Sequence, residues 1–149
     1  MTRKLRLPDS AALSGGSGKM EAPSAARNIG PILETLSPFV PQKGRALELA
    51  AGTGQHAVAF AQAFPGLHWQ PTEPDAQRRA SITAWAAEAA LPNLAAPIAL
   101  DACAPGWAKD HGPVVLLYLV NLLHLISEAE MSVLLDEAAQ VLAPRGLFA

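Results

Sequence analysis

The sequence predicts an α/β fold, in which a parallel sheet carries helices on both faces. Three observations support this prediction. An apolar stretch enters a glycine-containing turn at residues 46–56, strand-like and helix-like patterns alternate after it, and a continuous apolar run at 114–119 suits a central strand that is buried on both sides. The 149 residues are 50% hydrophobic and 16% charged, so the chain has enough apolar material for one compact domain.

The N-terminal part is predicted to differ from the rest. Residues 1–24 include a serine- and glycine-rich stretch at 14–18 and few apolar side chains, so burial there cannot offset the entropy of ordering. We therefore expect a flexible leader, followed by one domain over 25–149. At the start of this domain, Pro31 suits the first turn of a helix that Pro38 ends.

The spacing of apolar residues predicts the remaining elements. Intervals of three and four residues indicate helices, whereas short apolar runs between turn residues indicate strands. Asp75 is a predicted helix cap, and Ser127 with Glu130 forms a predicted capping box. In chain order the prediction is a strand from 46, a helix ending before 65, a strand at 67–71, a helix between 75 and 91, strands at 98–100 and 114–119, a helix between 127 and 144, and the start of a further strand at 147–149.

The turn at 46–56 is typical of nucleotide-binding sites of the Rossmann-like kind. Gly52 and Gly54 allow the backbone to turn tightly and to approach a ligand, and the N–H groups of the following helix point to the same place. The glycine spacing, with Ala57, also fits nicotinamide and flavin dinucleotides. The loop alone therefore leaves the nucleotide open.

Glu48, near the end of the strand before this turn, favours a cationic ligand. A carboxylate there would repel a dinucleotide pyrophosphate, and a lone buried charge is costly unless a cation or hydrogen-bond donors meet it. S-adenosylmethionine carries a sulfonium and an ammonium group, so Glu48 suits this cofactor. The alternative is a structural carboxylate that pairs with Lys43 or Arg45.

Polar side chains also follow the other predicted strands, where ligands of open α/β sheets bind. Glu73 lies 21 residues after Gly52, a spacing at which a carboxylate can accept hydrogen bonds from both ribose hydroxyls. Alternatively, Glu73 caps a helix or is solvated. Asp101 could accept a hydrogen bond from the adenine amine, with the backbone of Ala102 at the ring edge, although a single polar residue at a strand end is commonly structural.

Asn121 and His124 follow the predicted strand at 114–119, near the expected position of a reactive methyl group. His124 is a candidate general base, but its apolar neighbours favour a hydrogen-bonded core histidine. His56, just inside the helix after the glycine turn, either contacts the ligand or covers it. Methyl transfer mainly requires alignment and exclusion of water, so no catalytic residue is assigned.

Composition argues against several other classes of protein. The net charge of −2, without a large basic cluster, argues against a nucleic-acid partner. The longest apolar run, 113–123, is too short to cross a bilayer. Cys103 is the only cysteine, which excludes an intrachain disulfide and multi-cysteine zinc sites, and no metal site is predicted. No apolar segment of a secretory signal follows the basic N-terminus, so we expect a cytoplasmic protein.

Several segments match one known group of proteins. They lie at 24–28, 31–33, 47–56, 69–75, 100–101 and 121–124. In these segments the chain resembles class I S-adenosylmethionine-dependent methyltransferases and, within them, the methyltransferase-like protein 26 family. The resemblance implies that S-adenosylmethionine is the cofactor and that an unidentified small molecule or protein is the methyl acceptor. It implies that the cofactor is held by Glu48, Gly52, Gly54, Glu73 and Asp101, with Arg27 and Asn28 near the site. We add Ala50 and Asn121 to the predicted cofactor contacts, and we predict that Arg27, Asn28 and His124 contact the acceptor.

At the C-terminal end the chain departs from this family. Its members continue with a fifth strand and an antiparallel sixth and seventh pair, so the sheet is expected to be incomplete. We expect an exposed apolar edge after Phe148 to favour self-association, and the chain alone to be marginally folded with weak cofactor binding. Two other functions stay open: an NAD(P)-dependent oxidoreductase, and a non-catalytic cofactor-binding or interaction protein.

Overall fold

The computed structural model describes the backbone of Leu13–Ser14 and residues 17–149. The elements, in chain order, are β1 (Leu13–Ser14), β2 (Met20–Glu21), α1 (Pro23–Leu36), β3 (Gly44–Glu48), α2 (Gln55–Ala63), β4 (Leu67–Pro71), α3 (Ala76–Ala89), α4 (Ala108–His111), β5 (Val114–Tyr118), a 3-10 turn (Leu123–Leu125), α5 (Glu128–Val141) and β6 (Leu142–Phe148). β1 and β2 form a small antiparallel pair, and the other four strands form the main sheet.

The main sheet is parallel, with the strand order β4-β3-β5-β6. The chain moves outward from β3 to β4 and then returns to the opposite side of β3 as β5. The strand order therefore reverses between β3 and β5, and in open α/β sheets this reversal opens a crevice beyond the carboxyl ends of the strands. The predicted α/β class, with a parallel sheet and helices on both faces, is confirmed.

The segment predicted as a strand at 98–100 is not a regular strand. The chain runs along the outer edge of β4 and forms only two isolated parallel bridges, which pair Trp69 with Leu94 and Thr72 with Ile98. Pro97 stands between these bridges and has no N–H group to donate, so a continuous ladder cannot form there.

The last strand is longer than the sequence indicated. β6 begins at Leu142, directly after α5, and not at the predicted residue 147. Pro144 and Gly146, residue types that commonly follow the end of a helix, both lie within this strand. The pairing with β5 accommodates them through a register irregularity between Val114 and Leu116.

Helix α1 begins at Pro23, so the prediction that Pro31 opens a helix is wrong. A proline is favoured in the first turn, where its missing N–H costs nothing, and Pro23 occupies that position. Pro31 lies inside the helix, where it cannot donate to the carbonyl of Arg27. Tertiary contacts along α1 therefore override the local signal.

The residues just before α1 contact α3. The Met20 N–H donates to Ser81 Oγ over 2.8 Å, the Trp85 indole N–H donates to the Met20 carbonyl over 2.9 Å, and Lys19 Nζ lies 2.6 Å from a carboxylate oxygen of Glu88. The predicted flexible leader over 1–24 includes this short described stretch. The rest of the leader, apart from the β1 backbone, lies outside the described residues.

Hydrophobic side chains pack on both faces of the main sheet. The α5 face is covered by α4 and α5, and its buried core includes Leu47, Leu49, Trp107, Leu117, Leu134 and Val141. The α2 face is covered by α1 and α2, and its core is rich in aromatic side chains, including Phe60, Trp69 and Tyr118. Over the described part of the chain, no helix is long and apolar enough to cross a membrane.

Candidate functional site

The glycine turn connects β3 to α2 at the carboxyl end of the sheet. Three of its residues have positive φ: Ala50 at 51°, Gly52 at 62° and Gly54 at 100°. The neighbouring strand holds the turn in place, since the Ala51 N–H donates to the carbonyl of Thr72 over 2.9 Å. The predicted tight turn is therefore present, its backbone is left-handed at these three residues, and Ala50 adopts a conformation that normally favours glycine.

The two glycines are required for different reasons. A Cβ on Gly54 would lie 2.8 Å from the Cα of Ile82, so this residue allows the N-terminus of α2 to approach α3. A Cβ on Gly52 would have no atom closer than 3.9 Å, and the nearest is the Ala50 carbonyl oxygen. Gly52 thus faces open space at the turn, where a ligand could approach the backbone.

Glu48 ends β3 and is 1% exposed, with its side chain on the α2 face. Its Oε2 accepts a hydrogen bond of 2.8 Å from the Trp69 indole N–H. The alternative of an ion pair with Lys43 or Arg45 is wrong, since both basic side chains are exposed and neither pairs with Glu48. Burial raises the pKa of Glu48 to about 8, and the negative charge of nearby Glu73 adds to this, although the indole N–H opposes it.

Glu73 joins the glycine turn to the end of β4. Its Oε2 accepts from the Gly52 N–H over 2.9 Å, and its Oε1 accepts from the Asp75 N–H over 3.2 Å. Burial raises the pKa of Glu73, although these backbone donors and the charge of Arg78 act in the opposite direction. The structure therefore brings Glu48 and Glu73 to the same turn, as the sequence predicted.

A buried chain of hydrogen bonds lies beside Glu48. His56 Nδ1 is 2.8 Å from the Tyr118 hydroxyl, and His56 Nε2 is 2.8 Å from Asn28 Oδ1. An amide oxygen only accepts, so Nε2 carries the proton and Nδ1 accepts from the tyrosine. Burial lowers the pKa of His56 to about 4, so the ring is neutral at pH 7. His56 therefore joins Tyr118 to Asn28 and fixes the orientation of the Asn28 amide.

Tyr118 and Trp69 were missed as site residues because each lies in a segment that is read as a buried strand. Both are buried on the α2 face, and their polar atoms reach His56 and Glu48 respectively. A signal was available, since aromatic residues with a polar atom need a hydrogen-bond partner when they are buried. Tyr118 also interrupts the aliphatic run of β5 at its carboxyl end.

The remaining predicted residues are more exposed. Asp101 is exposed, and its Oδ1 accepts from the Cys103 N–H over 2.9 Å. It follows Ile98, whose bridge to Thr72 places this segment at the same edge of the sheet. His124 is exposed in the 3-10 turn, so the expectation of a buried core histidine is wrong.

Asn121 lines a groove along α1. It is exposed and has a φ of 56°, which is uncommon for a residue other than glycine. The groove has a volume of about 540 Å³, and its lining includes two of the predicted acceptor residues, Arg27 and Asn28. Pro31, Ile32 and Leu36 of α1 form its apolar wall. The structure thus brings Arg27, Asn28 and Asn121 together.

Solved methyltransferase structures share this fold. The glycopeptide N-methyltransferase MtfA, complexed with S-adenosyl-L-homocysteine, superposes with a TM-score of 0.69 at 21% identity, over 81% of this chain and 50% of that chain. Coclaurine N-methyltransferase, bound to N-methylheliamine and S-adenosylhomocysteine, gives 0.68 at 14% identity, over 92% and 38%. PKMT2 from Rickettsia typhi, in complex with S-adenosylhomocysteine, gives 0.64 at 16% identity, over 79% and 23%.

The chain spans half or less of the length of these three proteins. At such identities the likeness shows the fold, which is the Rossmann-like fold of class I methyltransferases. A family model described as "Protein of unknown function (DUF938)" matches residues 19–149, which is most of the chain. The chain therefore belongs to the DUF938 family.

Proposed function

We propose that this protein is an S-adenosylmethionine-dependent methyltransferase that acts on an unidentified small molecule or protein, and that it is a relative of the methyltransferase-like protein 26 family. The observation that carries the proposal is the pair of buried carboxyl groups, Glu48 and Glu73, at a glycine turn with left-handed backbone. The methyltransferase complexes named above support it, because their folds match and they were crystallised with S-adenosylhomocysteine.

The residues at the turn fit this cofactor better than a dinucleotide. Glu48 is buried with no basic side chain against it among the described residues, so a ligand ammonium would supply the missing positive charge. Glu73 offers carboxylate oxygens to ribose hydroxyls, and the open space beside Gly52 admits the ligand to the backbone. When bound, S-adenosylmethionine supplies an activated methyl group on a sulfonium sulfur. Asp101 completes the proposed set of cofactor contacts, whereas Asn121 lines the groove along α1 and is proposed to contact the acceptor instead.

Titration calorimetry of the whole chain with S-adenosylhomocysteine and with NADH tests the proposal. We expect heat with the first ligand and none with the second. We expect Gly54→Ala to abolish binding, because its Cβ would lie 2.8 Å from Ile82 Cα, and Gly52→Ala, which strains only the backbone, to weaken it less. Binding of NADH alone would support the oxidoreductase alternative.

Proton release gives a second and independent test. Glu48 is largely protonated at pH 7 in the free protein, so an ammonium beside it should lower its pKa and expel a proton. Calorimetry in two buffers of different ionisation enthalpy measures this release. We expect it to disappear in Glu48→Gln and to persist in Asp136→Asn, which changes an exposed carboxylate on α5. Equal proton release in both variants would place the ligand ammonium elsewhere.

Transfer of a labelled methyl group from S-adenosylmethionine to components of a cell extract tests the reaction itself. If the chain binds S-adenosylhomocysteine but labels nothing, the non-catalytic alternative is favoured. If the unmodified chain forms a labelled product and Gly54→Ala does not, the reaction depends on the glycine turn.

A further inference from the structure

The groove along α1 has an uneven distribution of charge. Among the described residues that line it, Arg27 is the only one with an ionisable side chain, and none is a carboxylate. In the part of the chain that the structure describes, the Arg27 guanidinium forms no ion pair. The same helix also contributes apolar side chains to the groove, those of Pro31, Ile32 and Leu36. A ligand that matches this lining has one negative group and an apolar body.

Asn28 adds a hydrogen-bond donor to the same groove. Its Oδ1 is occupied by the Nε2–H of neutral His56, which the Tyr118 hydroxyl holds from the other side. This arrangement fixes the orientation of the Asn28 amide and leaves its NH2 group as the available polar atom. The chain of hydrogen bonds beneath α1 therefore presents a donor, and not an acceptor, to a ligand.

Asn121 supplies a third donor-bearing side chain from the opposite side of the groove. Asn121 has a φ of 56°, a strained backbone conformation that is kept only where the surrounding structure imposes it. Residues with strained backbone are concentrated at binding sites. The groove therefore combines one cation and two amide groups on elements that also border the glycine turn, since Asn28 contacts the helix that follows this turn.

We propose that the groove lined by Arg27, Asn28 and Asn121 is the methyl-acceptor subsite and that it binds a small organic oxyanion, a carboxylate or phosphate ester, with an apolar body. The assignment of the bound anion as the methyl acceptor rests on the proposed function, whereas the binding of an anion in the groove does not. Arg27 holds the negative group, the two amides orient it, and the apolar wall of α1 excludes water from the rest of the ligand.

Three probes of the same size test the chemistry: phenylacetate, phenyl phosphate and the neutral phenylacetamide. Each is titrated into the full chain, saturated with S-adenosylhomocysteine, and binding is followed by the NMR signals of the Arg27 guanidinium and the asparagine side-chain amides. We expect at least one of the two anions to bind and phenylacetamide not to bind. The anion that binds more tightly identifies the oxyanion class. Equal binding of all three probes would overturn the proposal.

Arg27→Gln should weaken the preferred anion by about tenfold or more, because a charge-assisted contact is lost. Arg45→Gln is the matched control, since Arg45 is exposed at the opposite end of β3, and we expect it to have no effect. Asn121→Gly removes one amide but suits a positive φ, so it should weaken the anion while the melting temperature stays nearly unchanged. An equal loss in both arginine variants would show non-specific attraction and overturn the proposal.

The cofactor itself contains a carboxylate, so Arg27 has to be separated from the methyl-donor site. The affinity of Arg27→Gln is therefore also measured for S-adenosylhomocysteine and for 5′-methylthioadenosine, which lacks the amino acid arm. If Arg27→Gln weakens the binding of S-adenosylhomocysteine only and leaves anion binding unchanged, Arg27 belongs to the cofactor site and the proposal is overturned. If the chain binds the anion through Arg27 but does not bind S-adenosylhomocysteine, the anion site in the groove is supported and the proposed function is contradicted.

Discussion

Glu48 and Glu137 are both buried glutamates, but their surroundings differ in a way that separates a structural carboxylate from a candidate binding group. Glu137, on α5, is 6% exposed; its Oε1 accepts from the Gly106 N–H over 2.6 Å and its Oε2 from the Ala108 N–H over 2.7 Å. These backbone donors lower the pKa of Glu137. Its negative charge is therefore satisfied within the protein, at the start of α4.

Glu48 has no comparable set of donors. The indole N–H of Trp69 is the donor to its Oε2, and the neighbouring charge of Glu73 disfavours ionisation further. A folded protein that needed only stability would be expected to neutralise or replace such a group, because buried ionisable groups without partners are costly. Glu137 therefore completes the fold, whereas Glu48 is the buried carboxyl group that the proposed function assigns to a ligand.

The largest effect is expected for Glu137→Ala. Removal of the carboxylate leaves the N–H groups of Gly106 and Ala108 without an acceptor, which should reduce the free energy of unfolding by roughly 3 kcal/mol. Chemical denaturation at pH 7 measures this loss. Glu137→Gln keeps one acceptor and should lose less. If Glu137→Ala were as stable as the unmodified chain, the carboxylate would not be structural and the comparison would fail.

Glu48→Gln should increase the free energy of unfolding, and the size of this effect should depend on pH. The pKa of Glu48 is about 8 in the folded protein and near 4.5 when unfolded, so between these values the folded state holds a proton that the unfolded state has lost. The free energy of unfolding of the unmodified chain therefore falls as the pH rises toward 8.

His56 offsets this trend at lower pH. Its pKa falls from 6.5 to about 4 on folding, so its contribution to stability grows as the pH rises to 6.5 and is constant above that value. The pH range from 6.5 to 8 therefore separates the titration of Glu48 from that of His56. We expect the free energy of unfolding of the unmodified chain to fall by up to about 2 kcal/mol there, and Glu48→Gln to remove most of this slope. An unchanged slope would show that Glu48 does not titrate in this range.

Tyr118→Phe tests whether the hydrogen bonds beside Glu48 are structural. The change removes the hydroxyl that donates to His56 Nδ1 and should reduce the free energy of unfolding by about 1 to 2 kcal/mol. The tyrosine hydroxyl donates to Nδ1 only when the His56 ring is neutral, so its loss destabilises the neutral form and should raise the pKa of His56. NMR titration of the His56 ring measures this rise, with the exposed His68 as an internal control. A stable variant with an unchanged His56 titration would contradict the assigned bond.

Local patterns in the sequence predicted the parts of the fold that depend on neighbours along the chain. The capping box of Ser127 and Glu130 is present, and Asp75 caps α3 by accepting from the Arg78 N–H over 2.9 Å. The glycine turn is likewise encoded within a few residues. In these cases the residue type and its spacing determine the geometry directly.

The contacts that define the candidate site could not be predicted in this way, because they join distant residues. Glu48 and Trp69 are 21 residues apart, and His56 and Tyr118 are 62 apart. Each pairing depends on which strands are adjacent and on which face each side chain points to. The position of Pro31 within α1 has the same origin, since packing of the whole helix outweighs the preference of one residue.

The smallest effect is expected at Ser127. Ser127 caps the start of α5 with a neutral hydroxyl, whereas Glu137 caps the start of α4 with a carboxylate. Its Oγ accepts from the Glu130 N–H over 3.3 Å at the exposed end of the helix. A neutral, solvent-exposed cap contributes less than a buried carboxylate with two backbone donors, so Ser127→Ala should cost about 1 kcal/mol. The loss should be independent of pH between 6.5 and 8 and should leave ligand affinity unchanged, because α5 covers the face of the sheet opposite to Glu48. A loss as large as that of Glu137→Ala, measured under the same conditions, would show that charge and burial do not distinguish the two caps.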